Sequence, residues 1–247
     1  MKKIVIFRQH NLSSFCSFLK ECLETKHHSV SIIESLNTFD ENNDILIYFN
    51  YTYKENLEDI MKIVSSKIKK IIFIENASDI YLNSNNKLPY STFVKLKPKN
   101  KLCKKIVEAE NIICKNEVNV VLRVSEIYGP HINFGYIWDL IHLSNKVNLS
   151  KDYRDFLYEG DLIHAIEVSI ESDANGVYNI ASGQKTKINN YLIDLVNSNK
   201  KHAIIPKWKQ ANLRLSYNCE NFKFFKWNPI VTIELGLKTT QKHKEKK

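Results

Sequence analysis

The chain has 247 residues, 43% of them apolar and 26% charged, with a formal net charge of +9. That length suits one large domain or two smaller ones sharing a core, and the composition is that of a globular protein. No run approaches the roughly 18 apolar residues that span a bilayer. The apolar stretch at 4–7 is also far shorter than the ~7–15 residues of a signal-peptide core. A cytoplasmic protein is expected.

The five cysteines (Cys16, Cys22, Cys103, Cys114, Cys219) form no CxxC pair and are odd in number. Neither a disulfide framework nor a metal site is expected. Of the 36 basic residues only Arg8, Arg123, Arg154 and Arg214 are arginine, and the lysines are spread along the chain. This reads as a solvated lysine surface, with no nucleic acid and no membrane among the expected partners.

In chain order, KIVIF at 3–7 predicts a buried strand. Residues 12–25 predict a helix with Phe15, Leu19, Cys22 and Leu23 on one face. Strands are expected at 29–33, at 45–49 and at 69–75. Between the last two, Leu57, Ile60, Met61 and Val64 have helical spacing over 54–67. A helix over 99–115 turns Leu102, Ile106, Ala109 and Ile113 inward, and 118–124 (VNVVLRV) is a further strand. This alternation predicts an α/β fold, a Rossmann-like doubly wound parallel sheet with helices on both faces. The connection at 34–43 is too short for a helix and a strand, so the sheet is expected to lack a unit.

The texture changes after Gly129, the first glycine in the chain. A helix at 136–146 leads to a strand at 153–158. Asp161 is expected to cap a helix running to Ile170. Next come a strand and turn at 176–182, a helix at 188–196, and a turn marked by Pro229 before a last short helix. We expect a Rossmann-like domain at 1–132, to which strands near 153–158 and 176–180 can return. A smaller carboxy-terminal α/β substrate domain follows at 133–238, with a basic tail at 239–247.

A fold of this class holds a dinucleotide at its first strand–helix turn, where glycines let the backbone approach the pyrophosphate and the helix N-terminus supplies partial positive charge. Here that turn reads Phe7-Arg8-Gln9-His10-Asn11-Leu12-Ser13-Ser14 and has no glycine. Arg8 and His10 are the weak candidates for a phosphate, and Ser13 and Ser14 are expected as caps. On this ground no cofactor is expected.

Four segments then occur in order: VLRVSEIYGP from Val121, YRDFLYEGDLIHAI from Tyr153, GVYNIASGQ from Gly176, and CENFKFFKWNPIVTIELGLKTT from Cys219. Together they resemble the signatures of the NAD-dependent epimerase/dehydratase family, the extended short-chain dehydrogenases that modify nucleotide sugars. The resemblance is good over 118–240 and collinear but weak before that. It implies a catalytic tyrosine, a lysine four residues later, and a serine or threonine. At the serine/threonine position stands Ala77, with Ser78 beside it. The YxxxK pair falls on Asn100 and Lys104 in one register and on Leu102 and Ile106 in the other. No tyrosine occurs between Tyr90 and Tyr128, and Tyr90 is read as a loop residue.

On the substrate side the resemblance implies that Arg154 meets the nucleotide diphosphate, that Tyr128 borders the pocket, and that Lys209 (or Lys207) stands in for a second diphosphate arginine. The expected function is thus a catalytically degenerate member that binds a nucleotide sugar, a partner enzyme or a second copy of itself. The alternative is an active NAD(P)-dependent enzyme with relocated catalytic residues.

Overall fold

The strand register divides the apolar residues of the sheet between two cores. In a computed structural model, residues 1–8, 10–40, 42–50, 57–81, 89–93, 95–142, 153–187 and 216–245 are described. Strands β1 (Lys3–Phe7), β2 (Ser29–Ile33), β3 (Ile45–Asn50), β4 (Lys70–Asn76) and β5 (Val120–Val124) lie in one parallel sheet. A later strand, Gly176–Ile180, completes it at the edge beside β5. Side chains alternate faces along each strand. Ile4, Ile6, Ile47, Phe49, Ile72, Ile74 and Leu122 therefore join one core, and Val5, Leu46, Tyr48, Ile71, Phe73 and Val121 join the other. Both faces of the central strands are covered, which explains why β3 reads as an apolar run from Ile45 to Phe49 and β5 as one interrupted only by Arg123, without polar alternation.

Helix α1 (Ser13–Thr25) buries Phe15, Cys16, Leu19 and Leu23 against the first core. Cys16 takes the inward position expected of Cys22, which is only half-buried. Helix α2 (Leu57–Val64) and, after the short α3 (Ala77–Tyr81), helix α4 (Lys101–Ile113) cover the other face. On α4 the inward positions are Cys103, Ile106, Ala109, Glu110 and Ile113. Leu102, expected inside, is 38% exposed.

Between β2 and β3 the described residues hold only a short 3-10 helix, Leu36–Thr38. The missing unit leaves β2 at the edge, and the sheet order reverses between β1 and β3.

The chain then leaves the sheet through β6 (Glu126–Tyr128), α5 (Tyr136–His142), β7 (Tyr153–Arg154) and β8 (Phe156–Tyr158). Helix α6 (Glu159–Glu171) packs back on α1's core and leads to β9 (Gly176–Ile180) in the main sheet. Strand β6 pairs in parallel with β8, and β7 pairs antiparallel with β10 (Thr186–Lys187). The stretch at 153–158 is therefore two short strands outside the main sheet. After residue 216 come α7 (Glu220–Lys223) and α8 (Ile233–Glu245). The helix expected at 188–196 lies outside the described residues. No helix among the described residues is long and apolar enough to cross a membrane.

Candidate active site

All six strands of the main sheet are parallel, so their carboxyl ends deliver Arg8, Glu34, Asn50, Ala77, Ser125 and Ala181 to one edge. Open α/β sheets bind ligands at this edge, where the strand order reverses. The Arg8 backbone N–H donates to Ile33 O at 2.8 Å, and its guanidinium is ion-paired with Glu34. Arg8 is thus turned toward the end of β2. His10 opens a 3-10 turn, His10–Leu12.

Ser13 and Ser14 are the first two residues of α1 and do not cap it. The N-cap is Leu12, which gives no side-chain hydrogen bond, and the first turn carries no acidic residue. Glu34 was not singled out from the sequence. Its signal was an acidic residue just after the second strand, about 20 residues past the first turn, where a Rossmann fold reads the ribose hydroxyls.

Ala77 is fully buried at the end of β4, and Ser78 is spent locally, its hydroxyl donating to Asn76 Oδ1 at 2.6 Å. Asn100 is the N-cap of α4, where its Oδ1 accepts the Cys103 N–H at 2.7 Å. Lys104 is exposed and Ile106 buried. Neither YxxxK register thus brings a phenol to the site.

Polar chemistry is instead locked beneath the edge. Arg123 donates from Nε to Glu110 Oε1 at 2.5 Å, from Nη2 to Glu110 Oε2 at 2.6 Å, and from Nη1 to the Tyr81 hydroxyl at 2.9 Å. Tyr81 donates to Asn179 Oδ1 at 2.8 Å, and the Asn179 amide donates to the carbonyls of Tyr90 and Asn218. Tyr90, expected in a loop, is 7% exposed and stacked on Tyr81 with ring centroids 4.8 Å apart.

Glu75 lies fully buried beside this cluster, 3.9 Å from Arg123 Nε. Burial, and then the neighbouring Glu110 carboxylate, push its carboxyl well above the ordinary value. The site thus disfavours a charge on Glu75, while Glu110 makes the two-pronged ion pair with Arg123. Two carboxyls cannot both ionise next to one buried guanidinium.

At the end of β7, just before β8, Arg154 donates from Nη1 to Glu126 Oε2 at 2.6 Å and lies over the Tyr136 ring, 4.9 Å from its centroid. Glu126 also accepts the Tyr136 N–H at 2.7 Å. The arginine read as the diphosphate contact is thus held by an internal carboxylate that the sequence reading did not single out.

Asp155 is buried and accepts the Ser182 N–H and hydroxyl and the Gly183 N–H at 2.9, 2.7 and 3.1 Å. Burial pushes its carboxyl up to about 6. It ties the RDF turn to the glycine turn after β9. Asp161 is not a cap, since the N-cap of α6 is Tyr158. Its carboxylate accepts the N–H groups of Ile230 and Val231 at 3.1 and 3.2 Å, and its carbonyl accepts Trp227 Nε1–H at 3.0 Å.

Tyr128, expected at the substrate pocket, is 2% exposed. A Cβ on Gly236 would sit 2.1 Å from its hydroxyl, so Tyr128 packs on α8. Lys209 and Lys207 lie outside the described residues.

No protein-family profile and no curated protein sequence matches the chain. Solved structures match throughout its length. WbmG from Bordetella bronchiseptica, in complex with NAD and UDP, has a TM-score of 0.79 at 14% identity, covering 100% of this chain and 95% of that one. UDP-glucose 4-epimerase from Thermotoga maritima, with UDP-glucose, has a TM-score of 0.79 at 17% identity, covering 99% of both chains. The dTDP-glucose 4,6-dehydratase of Bacillus anthracis, in complex with NAD, has a TM-score of 0.76 at 17% identity, covering 100% and 97%.

NAD sits on this fold in two of the three, which overturns the expectation, drawn from the glycine-free turn, that no cofactor is involved. The four motif segments pointed to these same neighbours, and the chain has the Rossmann-like fold of nucleotide-sugar epimerases and dehydratases.

Proposed function

We propose that this chain binds a nucleotide sugar together with NAD(P), and that turnover through the usual serine/threonine and tyrosine has been lost. The observation that carries the second half is the pairing of a fully buried Ala77 at the end of β4 with an α4 that begins on Asn100 and offers no phenol.

The residues at the carboxyl edge fit a dinucleotide by another route than glycines. The first N–H groups of α1 have no side-chain cap and no acidic neighbour in their turn, which suits a diphosphate. Glu34 stands where ribose hydroxyls are read, with Arg8 paired to it. NAD(P), when bound, supplies or accepts hydride. Moving the accompanying sugar-hydroxyl proton needs an acid/base group that neither Ala77 nor the start of α4 provides.

On the other side of the site, Arg154 is the fork-shaped cation for a diphosphate. Glu126 holds it in place until a ligand competes for it. The exposed Met61 on α2 and Leu102 on α4 mark the helix pair on which a second copy or a partner enzyme would dock. Sedimentation of the purified chain tests that part.

The decisive test of the function is a thermal-shift panel of NAD(H), NADP(H) and UDP-, dTDP- and GDP-sugars, followed by turnover assays on any pair that binds. The expected outcome is stabilisation by a dinucleotide and by a nucleotide sugar without product. Product formation would establish the active alternative. Absence of any nucleotide-sugar binding would remove the reading altogether.

A further inference from the structure

Strand β2 (SVSII) is the outermost strand of the main sheet, because the unit that would lie beside it is missing. It pairs in parallel with β1 over all five residues without a bulge. The Ser29 N–H donates to Lys2 O at 2.9 Å, and Ile33 O accepts the Arg8 N–H at 2.8 Å. Along a strand, alternate residues turn their backbone groups toward the same neighbour. Ser29, Ser31 and Ile33 therefore face β1, and the N–H and C=O groups of Val30 and Ile32 point out of the sheet.

The connection that follows does not take them up. Among the described residues of 34–44, the N–H groups of Thr38, Phe39 and Asn43 bond back to the carbonyls of Ser35, Leu36 and Asp40, and that of Asp44 bonds to Lys3 O. Leu36 and Phe39 pack against the second core instead. Val30 and Ile32 turn their side chains into the first core, so what the edge offers a neighbour is backbone.

An open edge is a template for another strand, and chains guard it with lysine, proline or a bulge. Strand β2 has none of these, and its valine and two isoleucines favour an extended chain.

The strand is complementary to itself. Antiparallel pairing with β2 of a second copy, about a two-fold axis at Ser31, sets Val30 opposite Ile32 of that copy and Ile32 opposite its Val30. The residues that meet are then the ones whose backbone groups point outward. Each such pair exchanges two N–H···O bonds. The flanks match as well. Lys26, His27 and His28 precede β2 and Glu34 follows it, so the basic end of one strand lies against the acidic end of the other. Both copies use the same patch, which is the contact a closed two-fold dimer needs.

We infer that the chain dimerises through its β2 edges, joining two sheets into one. This surface is separate from Met61 and Leu102 on the α2–α4 pair and needs no ligand.

The test is disulfide trapping in the full chain under mild oxidation, beside sedimentation over a range of concentrations. Ser31 is exposed and falls opposite itself in a pair without backbone hydrogen bonds, with Cα atoms about 4.5 Å apart. That lies within the ~4.4–6.8 Å that a disulfide spans. S31C is expected to give a covalent dimer. S29C, also exposed, lies about 14 Å from its copy and should give none. Wild type, whose cysteines are buried or half-buried, is the blank. S31K sets two ammonium groups across the axis and should raise the dimer dissociation constant about fivefold or more, with thermal melts confirming that it is folded. A chain that sediments as a monomer at every concentration, a dimer indifferent to S31K, or S29C cross-linking as readily as S31C would each overturn the inference. A dimer held by the α2–α4 pair would show itself by that indifference. Ligand binding enters none of these readouts, so this inference and the proposed function fail separately.

Discussion

Replacing Glu75 and Glu110 by glutamine, singly and together, tests the charge state of the buried cluster around Arg123. Glu110 makes a two-pronged ion pair with Arg123 at 2.5 and 2.6 Å, while Glu75 stands 3.9 Å from the guanidinium in surroundings that favour its protonated form. With Glu75 held toward its protonated form, E75Q exchanges one uncharged group for another and should cost less than about 1 kcal/mol.

E110Q removes the counter-ion, but Glu75 can then ionise in its place, which holds the loss to about 1–3 kcal/mol. The double variant leaves a buried guanidinium with no carboxylate and should lose about 3–5 kcal/mol, more than the sum of the singles. Urea unfolding at neutral pH reads all three, since a domain of this kind has ~5–15 kcal/mol to lose.

A pH arm gives the sign independently. The unfolded chain releases the Glu75 proton near its ordinary value of 4.5, whereas the folded chain holds it to higher pH. Wild-type stability from this group therefore falls as pH rises above 4.5, and E75Q should gain on wild type as pH rises past that point. Equal losses for E75Q and E110Q at neutral pH, or E75Q losing ground as pH rises, would refute the assignment.

Three further outcomes follow from the same geometry. Glu126 competes with a diphosphate for Arg154, so E126Q should tighten nucleotide-sugar binding by about three- to tenfold, and R154Q should weaken it by about tenfold or more; calorimetric titration decides. Asp155 accepts three hydrogen bonds in burial, so D155N points an amide at N–H donors and should cost about 2–3 kcal/mol in urea unfolding. Glu34 would repel a 2′-phosphate and is paired with Arg8, so wild type should prefer NAD(H) over NADP(H); E34A, which releases Arg8, should narrow or reverse that preference in fluorescence titrations.

Much of the fold was legible because parallel strands buried on both faces leave apolar runs such as ILIYF, and VVLRV broken only by Arg123, and the short 34–43 connection announced the missing unit. Side-chain partners across the sequence were not. Asp161 looks like a helix cap because it sits in a first turn, yet its carboxylate is drawn 69 residues away to the Ile230 N–H. Leu102 and Cys103 exchange inward places because Asn100 sets the start of α4, and the apolar spacing alone leaves that phase open. Glu110 falls on α4's apolar face, and Arg123 sits inside an apolar strand. Two opposite charges at inward positions are a readable sign of a buried pair. Glu126, by contrast, has no local signal. Only the fold brings it to Arg154.

The measurement that bears most directly on the central claim is single-turnover analysis of the chain with bound NAD(P) and whichever nucleotide sugar stabilises it. The account predicts that both ligands raise the melting temperature and that the sugar is recovered unchanged with no change in cofactor absorbance. Conversion of the sugar, or reduction of the cofactor in step with it, would contradict the claim that Ala77 and the Asn100 start of α4 mark the loss of the usual acid/base chemistry.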